Sequence, residues 1–265
     1  METPDRHVRK QHQARFRFYA ELNDFLPGHT RQREFGWDFT GTPSVKDTIE
    51  SIGVPHTEID VILVDGKAVD FAHLLHGGER VAVYPLFERL DVSPATRLMP
   101  PPFRESRFVA DVHLGTLARS LILLGFDTVW RRDLEDEAII DIAAVERRTI
   151  LTRDKGILKN GRVTHGYWLR ATDPAKQLEE VVRALKLGGS IRPYTRCMEC
   201  NGELEPIARS DVAESVPLQV FLVYREFKRC KRCARIYWPG SHLKRLDKIV
   251  EQVRSAAMPN RSSLK

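Results

Sequence analysis

The sequence predicts a multidomain α/β protein: an N-terminal β-grasp, a central α/β domain on a parallel sheet, and a C-terminal zinc ribbon. Three observations predict it. The stretch from Ala14 to Tyr84 reads strand, strand, helix, strand, strand. Residues 107–189 alternate short apolar runs with helical periodicity, which implies right-handed crossovers and a parallel sheet. The cysteines form two Cys-x-x-Cys pairs, Cys197/Cys200 and Cys230/Cys233, with 29 residues between them. The expected layout is a basic tail at 1–14, the β-grasp at 15–90, a proline-rich linker at 91–106, the central domain at 107–189, the ribbon at 190–241, and a terminal helix and tail at 242–265.

In the first module, Ala14–Leu22 alternates apolar and polar residues as a half-buried strand does, with Phe16, Phe18 and Ala20 on one face. Glu34–Phe39 is its expected hairpin partner. Ser44 suits an N-cap, Val45–Ile52 a helix and Gly53 the position after its end. Ile59–Val64 reads as a strand, Asp65-Gly66 as a tight turn, and Ala68-Val69 as the return. Arg80–Tyr84 closes the module. The segment Val61–Pro85 resembles the ubiquitin-like sulfur carriers (the molybdopterin-synthase small subunit and the thiamine sulfur carrier), which act through a C-terminal Gly-Gly. Here Gly77-Gly78 precedes the last strand and the chain runs on. The expected role is therefore recognition or packing rather than sulfur transfer.

In the central module, Phe108–Ala110 and Thr149–Thr152 are expected strands, and Phe126–Trp130 and His165–Leu169 two more. Leu114, Leu117, Leu121 and Leu124 share one face of a helix that Gly125 ends. A second helix runs to about Arg147, with Ile139, Ile142, Ala143 and Val145 as its apolar side. Asp173-Pro174 opens a third, on Leu178, Val181, Val182 and Leu185, which Gly188-Gly189 stop. No Walker loop, dinucleotide-binding glycine pattern or Gly-x-Ser-x-Gly elbow is present.

The chain has 265 residues, 42% hydrophobic, and a formal net charge of +6, which leans towards a polyanionic partner. No apolar run approaches the roughly 20 residues that span a bilayer, and Met1–Phe16 lacks the apolar core of a signal peptide. A cytoplasmic location is expected, where two cysteine pairs suggest a metal site rather than disulfides.

If both main apolar runs are parallel strands, Asp111 and Asp154 follow them at one carboxyl edge, where open α/β sheets place ligands. Glu135, Asp136 and Glu137 open the helix between them. Such carboxylates would suit a hard cation. Each also has a plainer reading, since acids complement a helix N-terminus and Asp173 suits a cap. The pattern Asp111-x-x-Leu114-Gly115-x-Leu117-Ala118-Arg119, then Asp136-Glu137, then Leu151-Thr152-Arg153-Asp154, resembles the Mut-seven C-terminal RNase family, a PIN-like ribonuclease fold with an appended zinc ribbon. Members fused to an N-terminal ubiquitin-like domain share this module order. The resemblance implies metal-dependent cleavage of RNA phosphodiesters, with Mg²⁺ or Mn²⁺ on Asp111, Asp136 and Asp154 and Glu137 as a fourth acid. Arg119, Arg153 and Lys155 are candidates for RNA phosphate contact; either arginine could equally pair with the acids.

Two Cys-x-x-Cys knuckles suit tetrahedral Zn²⁺, and with all four positions filled by thiolates the metal would be structural. Leu218–Tyr224, between the knuckles, reads as a strand. Arg225 to Lys248 holds nine Lys/Arg against Glu226 and Asp247, net +7 before ion and thiolates subtract about two. Lys228, Arg229, Lys231 and Arg232, with Tyr237, Trp238 and His242, are the expected RNA contacts, by phosphate pairing and base stacking. A structured RNA such as tRNA or rRNA is the expected partner. The competing expectation is a non-catalytic RNA- or ribosome-binding adaptor with vestigial acids.

Overall fold

The computed structural model describes residues 11–85, 98, 100, 103–240 and 243–257. The expected linker at 91–106 and the basic tail fall mostly outside the described residues, as do Ser241 and His242. The chain divides into two compact units, one of Met1–Pro102 with Asp154–Tyr167, the other of Phe103–Arg153 with Trp168–Lys265. Among the described residues no helix is long and apolar enough to cross a membrane.

The first unit carries a five-stranded sheet ordered β2-β1-β5-β3-β4, formed by β1 (Gln11–Phe18), β2 (Phe35–Thr40), β3 (Val61–Val64), β4 (Lys67–Val69) and β5 (Arg80–Tyr84). The first and last strands run parallel and the other pairs antiparallel, which is the β-grasp arrangement. β1 starts earlier than its alternation suggests, because Gln11–Ala14 find partners in Trp37–Thr40. It also ends earlier, with Ala20–Phe25 turning into a 3-10 helix. Helix α1 (Val45–Ile52) is capped by the Ser44 hydroxyl, which accepts from the Asp47 amide at 3.0 Å. Asp65 and Gly66 take left-handed φ values of 49° and 80°, as a two-residue hairpin requires. Phe16, Phe18, Leu22, Ile49, Ile59, Ile62 and Leu75 fill the core.

The short helix α4 (Lys155–Lys159) and the turn after it join this unit. Lys159 Nζ donates to the Glu50 carbonyl at 2.7 Å, adding to the Gly53 amide that this carbonyl also accepts at the end of α1. The His56 ring lies 2.6 Å from Glu50 Oε1 and 2.9 Å from the Val163 carbonyl.

The second unit is built on three strands of the sheet ordered β7-β6-β8-β9, namely β6 (Arg107–Ala110), β7 (Asp127–Val129) and β8 (Thr149–Thr152); of β9 (Gly166–Trp168) only Trp168 falls in this unit. β6 pairs in parallel with both β7 and β8. Helices α2 (Gly115–Leu123), α3 (Asp136–Glu146) and α5 (Pro174–Ala184) are the other elements of this α/β module. On α3 the predicted Ile139 and Ala143 are buried, but Ile140 joins them in place of Val145, which is 82% exposed. The sheet selects the face here, since the helix is apolar on more than one side. Helix α5 ends at Ala184, ahead of Gly188-Gly189, because Lys186 adopts left-handed φ and starts a 3-10 turn.

Gly125 ends α2 at φ +95°, with the Arg192 carbonyl where a Cβ would stand. Gly125→Ala is expected to lower the stability of this unit by about 2–4 kcal/mol, combining positive-φ strain with overpacking. The urea midpoint of the unit's unfolding reads that loss.

Beyond α5 the chain forms a three-stranded antiparallel ribbon, β10 (Leu204–Ile207), β11 (Phe227–Cys230) and β12 (Ile236–Tyr237), and then α7 (Leu243–Ala257). The predicted strand at Leu218–Tyr224 is instead helix α6 (Leu218–Val223). A continuous apolar run does not by itself distinguish helix from strand. Tertiary contacts decide it: Val220, Phe221 and Tyr224 pack on Val212, Val216 and Phe227, while Leu218, Leu222 and Val223 face outward. Pro217, which has no N–H to lose, suits the helix start.

Candidate functional site

Strand β6 lies between β7 and β8, so the residue just past its end stands mid-sheet at the carboxyl edge. That residue is Asp111, only 7% exposed. Its amide donates to the Leu151 carbonyl of β8 at 3.0 Å. Its Oδ2 accepts from Thr152 Oγ1 at 2.7 Å, which leaves Oδ1 without a donor among the described residues. No cation pairs with Asp111 there, although a buried carboxylate ordinarily takes one.

The other expected acids lie at helix starts. Asp136 and Glu137 occupy the exposed first turn of α3, whose N-cap residue Glu135 supplies no side-chain cap. Asp154 comes two residues past β8, is exposed, and caps α4 through a 2.6 Å bond from the Gly156 amide. Asp173 caps α5 by accepting from the amides of Ala175 and Lys176. Arg119, on α2, and Arg153, after β8, are exposed. The Arg153 carbonyl accepts from Trp168 Nε1 at 3.1 Å. Lys155 lies 4.8 Å from the Phe25 ring centroid, a cation–π contact within the first unit.

Sequence reading missed the segment after β7. Trp130 Nε1 donates to the Val112 carbonyl at 3.1 Å, so the exits of β6 and β7 are tied together. The indole lies over Gly115, where a Cβ would come within 2.6 Å of its ring. A Gly opening a helix beside a Trp-Arg-Arg run was the available signal.

The four cysteines converge. Their sulfurs lie within 4.8 Å of one another, with Cys197–Cys233 at 3.6 Å and Cys200–Cys230 at 3.4 Å. A tetrahedral ion with metal–sulfur bonds of about 2.3 Å needs separations near ~3.8 Å, so the donor set fits one metal ion. Among the described residues this is the one group of three or more such side chains drawn together that closely. The amides of Arg232 and Cys233 point to Cys230 Sγ at 3.4 and 3.5 Å. Burial pushes the Cys197 thiol up, but the Tyr237 hydroxyl, 3.0 Å from its sulfur, and the knuckle amides outweigh it and hold it at about 6.

The first knuckle is also fastened to the sheet. Asn201, left-handed at φ 61°, gives Nδ2 to Asp127 Oδ1 at 2.7 Å and takes the Thr128 amide on Oδ1 at 3.3 Å. It thereby satisfies an amide of edge strand β7. Asp127 further receives Arg148, a nearly buried side chain, at 2.7 Å, and lies 3.5 Å from Arg196. Burial pushes the Asp127 carboxyl up, but these partners outweigh it and hold it below the usual carboxylate range.

The ribbon is less cationic than its own run of residues suggests. Arg229 pairs with Glu205 at 3.2 Å, Lys231 with Glu203 at 2.8 Å and Arg235 with Glu199 at 3.8 Å. These acids lie upstream of Arg225, outside the counted window. Lys228 Nζ donates to the Tyr194 carbonyl at 2.8 Å and Arg232 to the Cys200 carbonyl at 3.3 Å. Tyr237 is engaged at Cys197, whereas Trp238 is 37% exposed.

A β-grasp, an α/β module on a parallel sheet with an acid at its mid-edge, and a four-cysteine ribbon make up the described chain. Residues 106–250 match the family model described as Mut7-C RNAse domain, and residues 11–91 match Mut7-C ubiquitin. The chain belongs to the Mut7-C RNAse domain family, with that family's ubiquitin-like module at its N-terminus. Among solved structures it is similar to small archaeal modifier protein 1 of H. volcanii, at 16% identity and a TM-score of 0.24 over 29% of this chain and 99% of that one. No curated protein matches it.

Proposed function

We propose that this protein is a metal-dependent ribonuclease whose working edge is the carboxyl end of β6 and β8. The observation that carries the reading is Asp111: a nearly buried carboxylate at mid-sheet, fixed by Thr152 and lacking a cationic partner among the described residues. Family membership supports RNA as the substrate.

Asp111, Asp136 and Asp154, with Glu137 next to Asp136 in sequence, would hold Mg²⁺ or Mn²⁺. Their all-oxygen donor chemistry suits a hard cation, which in such sites supplies a hydroxide nucleophile and stabilises charge at the attacked phosphorus. Thr152 holds Asp111 in one orientation, so its free oxygen keeps its aim. Arg119 and Arg153 offer charge to the phosphates, and a structured RNA such as tRNA or rRNA is the substrate we favour. Cys197, Cys200, Cys230 and Cys233 hold a structural Zn²⁺ as thiolates, which suits a reducing cytoplasm.

The test is cleavage of labelled total RNA with Mn²⁺ or Mg²⁺, comparing wild type with Asp154→Asn while zinc stays bound. Metal-dependent cleavage that the variant loses is the expected result. RNA bound but uncut by both proteins would sink the nuclease reading and favour an adaptor.

A further inference from the structure

We propose that Arg131 and Arg132, at the exit of β7, form with Arg153 a rail that holds the RNA backbone across the strand ends, and that the ribbon does not supply this grip. The inference rests on the RNA-directed reading above, and extends it by naming the phosphate contacts.

Three adjacent parallel strands end together. The pairing Val109↔Val129 places Asp111 and Arg131 two residues beyond matched positions. The Trp130–Val112 bond holds those two exits side by side. On the other flank, the Asp111 amide bonds to Leu151, and Arg153 follows two residues later. The edge therefore reads arginines, acid, arginine in the spatial order β7-β6-β8. The outer two strands are roughly 9–10 Å apart at ordinary sheet spacing.

The arginines are available. Arg131, Arg132 and Arg153 are exposed and make no ion pair among the described residues. They follow the strand ends that flank Asp111, and no ion pair joins them to it among the described residues. The ribbon presents the opposite case, because Arg229, Lys231 and Arg235 already face Glu205, Glu203 and Glu199. Backbone phosphates are read by unpaired charge, and each lost contact lowers the salt dependence of binding. Guanidinium also matches phosphate geometry in two-point contacts.

The test measures binding of labelled single-stranded RNA by fluorescence anisotropy across a salt series. Zinc-loaded protein carrying Asp154→Asn is used so that the probe stays uncut. Adding Arg131→Ala with Arg132→Ala is expected to weaken binding at least tenfold and to reduce the slope of log affinity against log salt by about 1.4, two phosphates at about 0.7 each. Arg229→Ala with Lys231→Ala is expected to change affinity less than twofold. Arg131→Lys with Arg132→Lys should keep the slope; its loss there would mark a structural effect and overturn the rail. An unchanged slope in the alanine pair, a slope carried by the ribbon pair, or no salt-dependent binding at all would overturn it too. Edge-dependent binding by a wild-type protein that cuts no RNA would keep the rail and sink the nuclease. Cleavage with edge-independent binding would do the reverse.

Discussion

Stripping the metal from the four-cysteine centre is expected to unfold the ribbon and to loosen β7 with it. The ribbon's own buried core is small, centred on Val212, Val216 and Phe227. A structural zinc contributes about 10–16 kcal/mol to folding such a module at neutral pH, more than that cluster can replace at about 1.5–3 kcal/mol per buried side chain. Because Asn201 follows Cys200 and clasps Asp127 and Thr128, the effect should pass into the sheet. Hydrogen exchange with and without a chelator checks this. Amides across 196–237 should lose protection, and the Thr128 amide should lose it in step. Asn201→Ala, with zinc still bound, should expose Thr128 and leave the ribbon protected. Protection of 196–237 that survives full metal removal would refute a metal-dependent ribbon.

Asp111→Asn is expected to cut metal-dependent RNA cleavage by about 10²–10³ and to leave the fold intact or slightly more stable. The rate loss follows if Asp111 helps hold a cation contributing several kcal/mol of transition-state stabilisation, at about 1.4 kcal/mol per tenfold. The asparagine oxygen still accepts from Thr152 Oγ1, so the local geometry survives. The variant removes a nearly buried negative charge, which costs folding free energy when it lacks a cation. Thermal melting and Mn²⁺ titration read the two halves separately. A variant that melts markedly lower, with cleavage lost only in proportion to unfolded protein, would make Asp111 a structural residue. Unchanged Mn²⁺ affinity would remove it from the ligand set.

Features governed by near neighbours were legible in the sequence. Ser44 and Asp173 cap helices because a short side-chain oxygen reaches an amide two or three residues on. Asp65-Gly66 turns because its backbone must enter left-handed φ. The cysteine spacing brought four sulfurs together because each knuckle is nearly self-contained. The place of Asp111 at the carboxyl edge was legible because a strand's end fixes its edge once the strands are known to be parallel.

Only the tertiary structure could decide matters set by distant groups. It made Leu218–Tyr224 helical, since which residues of an apolar run are buried depends on Val212, Val216 and Phe227. It turned Ile140 inward and Val145 outward on α3. It spent the ribbon's cations on Glu199, Glu203 and Glu205, while Arg131 and Arg132 stayed unpaired among the described residues. It clasped Asn201 to β7 across more than 70 positions of chain. The physical reason is one of range. Caps, turns and knuckles are satisfied within a few residues, so their residue types announce them. Burial and charge pairing are settled by whichever groups the completed fold brings within a few ångströms, and spacing along the chain does not encode that.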